Sequence, residues 1–204
     1  MPAYVFKTIL DRATQQNITP KMEQNAINWF RTQAKTVAVD PTRLLQSQRS
    51  RLTMKPMIGT MYVFHYDPKM KKKLPYYDSF PLVIPFDSIR TNGPITVGQQ
   101  GFMGLNLHYL PPILRARLLD NLYTFVSNEK LDQTTRFEIS YKLLKRVSQL
   151  KYFKPCVKQY LFSHMRSKFF YIEPSEWDMA AFLNIARFQK ASQKQVWEDS
   201  RNAI

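Results

Sequence analysis

Apolar and polar positions change period twice along this chain. Met22, Ala26, Phe30 and Ala34 recur every four residues and predict an amphipathic helix to about Val37. Thr19-Pro20 gives it an N-cap and a proline at the first helical position, with Glu23 in the first turn. Asp40-Pro41 repeats that start for a short helix carrying Leu44 and Leu45, and another short helix fits residues 1–14. Residues 46–55 lose periodicity and read as an extended basic arm.

Between about residues 57 and 110 the period falls towards two. Strands are predicted over Thr60–Tyr66, Phe80–Phe86 and Phe102–Leu110. In the first, both alternating faces are apolar, so it is expected to be covered on both sides. Pro81 and Pro85 place the second at an edge or a bulge. Asp67–Leu74 reads as a turn and basic hairpin tip; Asn92-Gly93-Pro94 and Val97–Gly101 are further turns. Gly101-x-x-Gly104 lacks the Gly-Lys-Ser/Thr finish of a phosphate loop, and tight packing or a bulge accounts for it. Such strands predict a small curled sheet or partly open barrel of SH3-like or OB-like scale.

Beyond Pro112 the helical period returns. A helix over Pro112–Val126 turns Leu114, Leu118, Leu122 and Phe125 inward. Thr135-x-x-Glu138 reads as a capping box. The helix it opens sets Phe137, Tyr141, Leu144 and Val147 against a stripe of Lys142, Lys145, Arg146 and Gln149. Helices are also expected from Pro155 to Lys168, from Ser175-x-x-Asp178 to Phe188, and over 190–204, with Phe169–Ile172 as a possible strand. The expected fold class is therefore α+β. N-terminal helices and a basic arm occupy 1–55, a small SH3/OB-like β-module 56–110, and a helical region 111–204 packs on it as one compact unit with basic, amphipathic helices.

Charge decides what such an object is for. Thirty basic against fifteen acidic residues leave a net charge of +15, which calls for a polyanion or an acidic partner surface. Residues 31–73 hold ten basic and two acidic side chains, and residues 136–168 nine and one. Two zones of this kind suit contact with a phosphate backbone. No base-reading motif occurs, so contact with duplex DNA would be independent of sequence. The candidates are Arg49, Arg51, Lys69, Lys71, Lys72, Lys73, Lys142, Lys145 and Arg146, with acidic proteins as the competing partner. Tyr76, Tyr77 and Phe80 are candidate rings for packing against a partner.

Chemistry is not expected. His65, His108 and His164 lack metal-ligand spacing, and the first two fall in aromatic strands as core imidazoles. Cys156 follows Pro155 near a helix start and reads as a buried structural thiol; a lone cysteine suits a reducing compartment. Asp67-Pro68-Lys69 has the outline of a nuclease motif's end without the further carboxylates, and Asp78 and Asp87 read as turn caps. The reading is of a protein that is not an enzyme and uses neither cofactor nor metal. No run approaches the ~18 apolar residues of a membrane span. The N-terminus lacks a signal peptide's basic start and apolar stretch, so no membrane anchoring is expected.

Several segments carry a resemblance. Met61-Tyr-Val-Phe-His-Tyr-Asp-Pro-Lys69, Leu74-Pro-Tyr-Tyr-Asp-x-Phe-Pro-Leu-Val83 and Gly101-Phe-Met-Gly-Leu-Asn-Leu-His-Tyr-Leu-Pro-Pro112 are distinctive. So are Phe153-Lys-Pro-Cys-Val-Lys-Gln-Tyr-Leu161, Arg166-Ser-Lys-Phe169 and Glu176-Trp-Asp178. Together, over roughly residues 21–204, they resemble virion proteins of T-even-like, contractile-tailed phages (myoviruses) often labelled DNA end protector. The resemblance implies a structural part of the virion, assembled in the bacterial cytoplasm and contacting the packaged DNA end or the portal and neck. A tail or baseplate connector that binds acidic virion subunits without DNA is the alternative. No catalytic residue is transferred by it.

Overall fold

The computed structural model describes residues 51–202 apart from 90–94, 97, 127, 129, 178, 179 and 181–184. The expected helices over 1–50, Arg49, the Asn92-Gly93-Pro94 turn and Asp178 lie outside the described residues.

The fold is mixed α/β. Six strands form one antiparallel sheet: β1 (Leu52–Thr53), β2 (Met61–Val63), β4 (Leu82–Ser88), β5 (Gly101–Asn106), β6 (Val157–Leu161) and β7 (Phe169–Ile172). Their order is β1-β7-β2-β4-β5-β6, while β3 (Tyr77–Asp78) pairs separately with β8 (Phe188–Gln189). The described helices are α1 (Pro112–Val126), α2 (Gln133–Gln149) and α3 (Gln193–Asn202).

Alternation sorts side chains onto the two faces. Met61, Val63, Leu82, Ile84, Leu105 and Ile172 join Leu119, Leu122, Leu144 and Val196 of the helices in one core. Tyr62, Phe64, Val83, Phe102, Tyr160 and Phe169 form a second, aromatic core on the other face. The expectation that β2 is covered on both sides therefore holds.

The aromatic core shows how far the sheet rolls. Strands β5 and β7 stand three places apart, roughly 14 Å in a flat sheet. Yet the rings of Phe102 and Phe169 lie 5.9 Å apart, and Tyr160 of β6 reaches Phe64 just beyond β2 at 5.3 Å. A bridge between Tyr66 and Met165 links the two sides of the roll. The Tyr66 hydroxyl accepts from the Leu161 amide at 3.2 Å.

Four local expectations need correction. Pro155 does not open a helix: Lys151–Cys156 is a 3-10 turn and the chain runs on into β6. Val157, Tyr160 and Leu161 suit either period, and pairing with the open edge of β5 selects the strand. Strand β5 ends at Asn106, short of Leu110, because Leu107–Tyr109 turns as a 3-10 helix. Strand β4 is interior, and Pro85 stands at the bulge expected for it, where the register shifts between Pro85 and Asp87. Opposite it, a Cβ on Gly104 would lie 2.4 Å from Val83 Cγ1, so only glycine allows that approach. The N-cap of α2 is Asp132, which accepts from the Thr135 amide at 3.0 Å; Thr135 is already in the first turn. Phe188 belongs to β8, not to a helix end. The C-terminal region thus supplies strands β6, β7 and β8 as well as helices.

Candidate nucleic-acid interface

The basic turn after β2 is built by local hydrogen bonds and then braced from afar. Pro68 O accepts from the Lys71 amide at 3.1 Å, and Met70 O from the Lys73 and Leu74 amides at 2.8 and 3.1 Å. Lys190, at φ 70, sends its ammonium to the carbonyls of Lys71, Leu74 and Lys72 at 2.6, 2.9 and 3.4 Å. One cation thereby collects carbonyls at the back of the turn while Lys69, Lys71, Lys72 and Lys73 stay exposed.

Asp67 is the carboxylate of this cluster. It pairs with Lys71 at 2.9 Å and with exposed Arg166 at 3.3 Å. The Lys71 hydrogen bond, with smaller help from Arg166, holds its pKa below the ordinary value. Asp67 is thus shared between two cations.

The base of the turn hangs from a buried polar node. Asp78 accepts at one oxygen from His108 Nδ1 at 2.6 Å and Asn106 Nδ2 at 3.2 Å. Its other oxygen accepts from the Phe80 and Arg187 amides, both at 3.1 Å. Burial alone would raise the Asp78 pKa, but His108 and the Phe80 and Arg187 amides outweigh it and lower it. Burial pushes the His108 pKa down, against the pull of Asp78, so a neutral imidazole donates from Nδ1 to a carboxylate. His108 Nε2 is buried without a hydrogen-bond partner. The His108 carbonyl accepts from Trp197 Nε1 at 2.8 Å and Arg115 Nη2 at 3.3 Å, which ties α3 and α1 to the node.

The remaining candidates are scattered. Arg51 is already neutralised, 2.6 Å from Glu176 and 3.5 Å from Glu173. Lys145 reaches buried Asp87, and Lys142 lies 3.4 Å from Glu138 on the same helix. Arg146 is exposed on α2. Tyr76 and Phe80 are half-buried and contact their own chain, Tyr76 at Tyr109 (6.1 Å) and Phe80 at His65 (4.6 Å); Tyr77 is half-buried in β3. Of the two histidines expected in the core, His108 is there but His65 is exposed, past the point where β2 pairing ends. Cys156 is buried and bonded to the Phe153 carbonyl at 2.8 Å, and burial pushes its thiol pKa up to about 12. Asp78 and Asp87 are buried partners of cations or imidazole as well as turn formers.

Sequence reasoning missed Lys190, Arg166 and the Asp78–His108 pair. Arg166 stood inside a counted basic zone, so charge could have flagged it. Nothing local marks Lys190, which reaches its carbonyls across 116 to 119 residues.

Among the described residues no helix is long and apolar enough to cross a membrane. Comparisons with curated proteins and with solved structures find no match. Against protein families, residues 6–200 match the phage T4 terminal DNA protecting protein. That match spans nearly the whole sequence, and the chain belongs to the phage T4 terminal DNA protecting protein family.

Proposed function

We propose that this protein is a non-enzymatic virion component that seats on the terminus of packaged double-stranded DNA near the portal or neck. The turn carrying Lys69, Lys71, Lys72 and Lys73 makes the phosphate contacts, joined by Arg166. The observation that carries this reading is the bracing of that turn: Lys190 holds the backbone that carries four exposed lysines, with Asp67 as local carboxylate. Membership of a terminal DNA protecting family supplies the ligand class, and the +15 charge its sign. Because every duplex offers the same phosphates, binding is indifferent to sequence.

A salt titration of binding to a short duplex tests it. Engagement of about six phosphates gives a log-log slope near −5; a flat titration removes the reading. The tail or baseplate connector remains the second reading, since the exposed lysines of the turn suit an acidic protein surface as well as a phosphate backbone. It requires stoichiometric binding to purified acidic virion subunits and no retention on DNA.

A further inference from the structure

We propose that Tyr152 distinguishes a DNA end from DNA interior, its ring forming a platform for the open face of the terminal base pair. This rests on the reading that the chain engages duplex ends and adds the source of end selectivity. Phosphates are alike along a duplex, so a basic surface by itself holds DNA anywhere. An end differs in having a flat base-pair face with no stacking neighbour. Aromatic side chains take up such faces whatever the base.

Among the described residues Tyr152 is the one Phe, Tyr or Trp that is exposed, at 60% of its surface. Every other described ring of those types is buried or half-buried. Tyr152 sits on the 3-10 turn after α2, next to Leu150, itself 47% exposed. The turn beneath it is fixed. Leu150 O accepts from the Phe153 and Lys154 amides at 2.9 and 3.2 Å, and buried Cys156 anchors its far end.

The surrounding charge matches a duplex terminus. Lys151 and Lys154 are three residues apart in a helix of three residues per turn, so they share a side. Arg146 lies in the last turn of α2, which ends one residue before Leu150. All three cations are exposed, and no acidic residue occurs between Glu138 and Glu173. Tyr152 lies about a third of a turn from the side that Lys151 and Lys154 share, and an exposed ring with cations to one side of it fits a base-pair face edged by phosphates.

The test compares full-length wild type, Tyr152→Ala and Tyr152→Trp on two duplexes of one sequence. One is blunt and open; in the other, both ends are closed by hairpin loops. Wild type and Tyr152→Trp are expected to prefer the open duplex. Tyr152→Ala should lose about tenfold to a hundredfold of that preference while keeping its affinity for the closed duplex, which also reports that it is folded. Preference unchanged in Tyr152→Ala, or equal loss on both duplexes, overturns the proposal. Wild type that binds both forms equally overturns it while leaving phosphate binding intact; wild type that binds neither removes the functional reading as well. Capture of an acidic virion subunit through Tyr152, with DNA binding unaffected, would assign the ring to a protein partner and overturn it too.

Discussion

The Lys190 ammonium lies 2.6 Å from the carbonyl of Lys71, so a residue just before α3 holds the lysine-rich turn that follows β2. A cation used in this way repels the exposed lysines around it but neutralises the carbonyl ends that face it. The arrangement is expected to hold the turn open toward an anion. Lys190→Met removes the donor and keeps the aliphatic stem. Amide exchange at residues 71–74 should quicken by about fivefold, a loss on the order of 1 kcal/mol for such an exposed bond set. Hydrogen-exchange mass spectrometry measures it, and unchanged protection would show that the local turn bonds suffice.

Removing the turn's charge should alter the salt dependence more than the fold. Lys69, Lys72 and Lys73 are exposed, and surface changes of this kind alter stability by about half a kcal/mol or less. The triple alanine variant should lower the magnitude of the log-log salt slope by about 2.7, since each phosphate contact contributes roughly 0.9. Arg51→Ala, whose guanidinium is spent on Glu173 and Glu176, should leave the slope unchanged and reduce thermal stability instead.

The Asp78–His108 pair predicts a particular pH dependence. Burial lowers the His108 pKa from its ordinary 6.5, so the unfolded chain binds a proton that the folded chain refuses. Stability from this source is complete above pH 6.5 and declines as pH falls below it, by at most ~1.4 kcal/mol per pH unit. Asp78, held below its ordinary value of 3.8, adds a second loss at lower pH. Arg115 opposes protonation of the ring by like charge, and Asp78 favours it; burial is the largest influence. Urea midpoints at pH 5 and 7.5 should separate in the wild type, and His108→Asn should narrow that gap. Equal midpoints in the wild type would contradict the neutral buried imidazole.

Gly104→Ala tests the approach of β4 to β5. The new methyl would stand 2.4 Å from Val83 Cγ1 beside the Pro85 bulge, and overpacking of this kind costs about 1–3 kcal/mol. Calorimetry should show that loss. Gly98→Ala has open space around it and meets only the strain of φ 88, which makes it the milder comparison.

What was legible in the sequence was what neighbours along the chain decide. Pro111-Pro112 starts α1 because proline fits a helix start, although β5 has already ended at Asn106 in the 3-10 turn Leu107–Tyr109. Asp67–Leu74 forms the turn its composition suggests, and Phe169–Ile172 forms β7. The alternation around Met61–Tyr66 correctly signalled two covered faces. What was not legible depends on distant partners. Val157–Leu161 becomes a strand because β5 offers an unpaired edge, and Asp78 becomes the centre of a buried node because His108 and Arg187 reach it from 30 and 109 residues away. The site was half visible for the same reason. Charge density marked the lysine turn, but only the fold shows that Arg51 and Lys145 are consumed by carboxylates while Lys190 and Arg166 join the turn.

Protection of an open end from digestion is the most direct measurement of the central claim. A duplex closed at one end by a hairpin is incubated with the full-length protein and then with a processive exonuclease that enters at the open end. Wild type at saturating concentration should prolong the survival of the duplex at least tenfold, and the Lys69, Lys72, Lys73 triple alanine variant should not. Digestion at the same rate with and without protein would contradict the assignment of the basic turn to the DNA terminus.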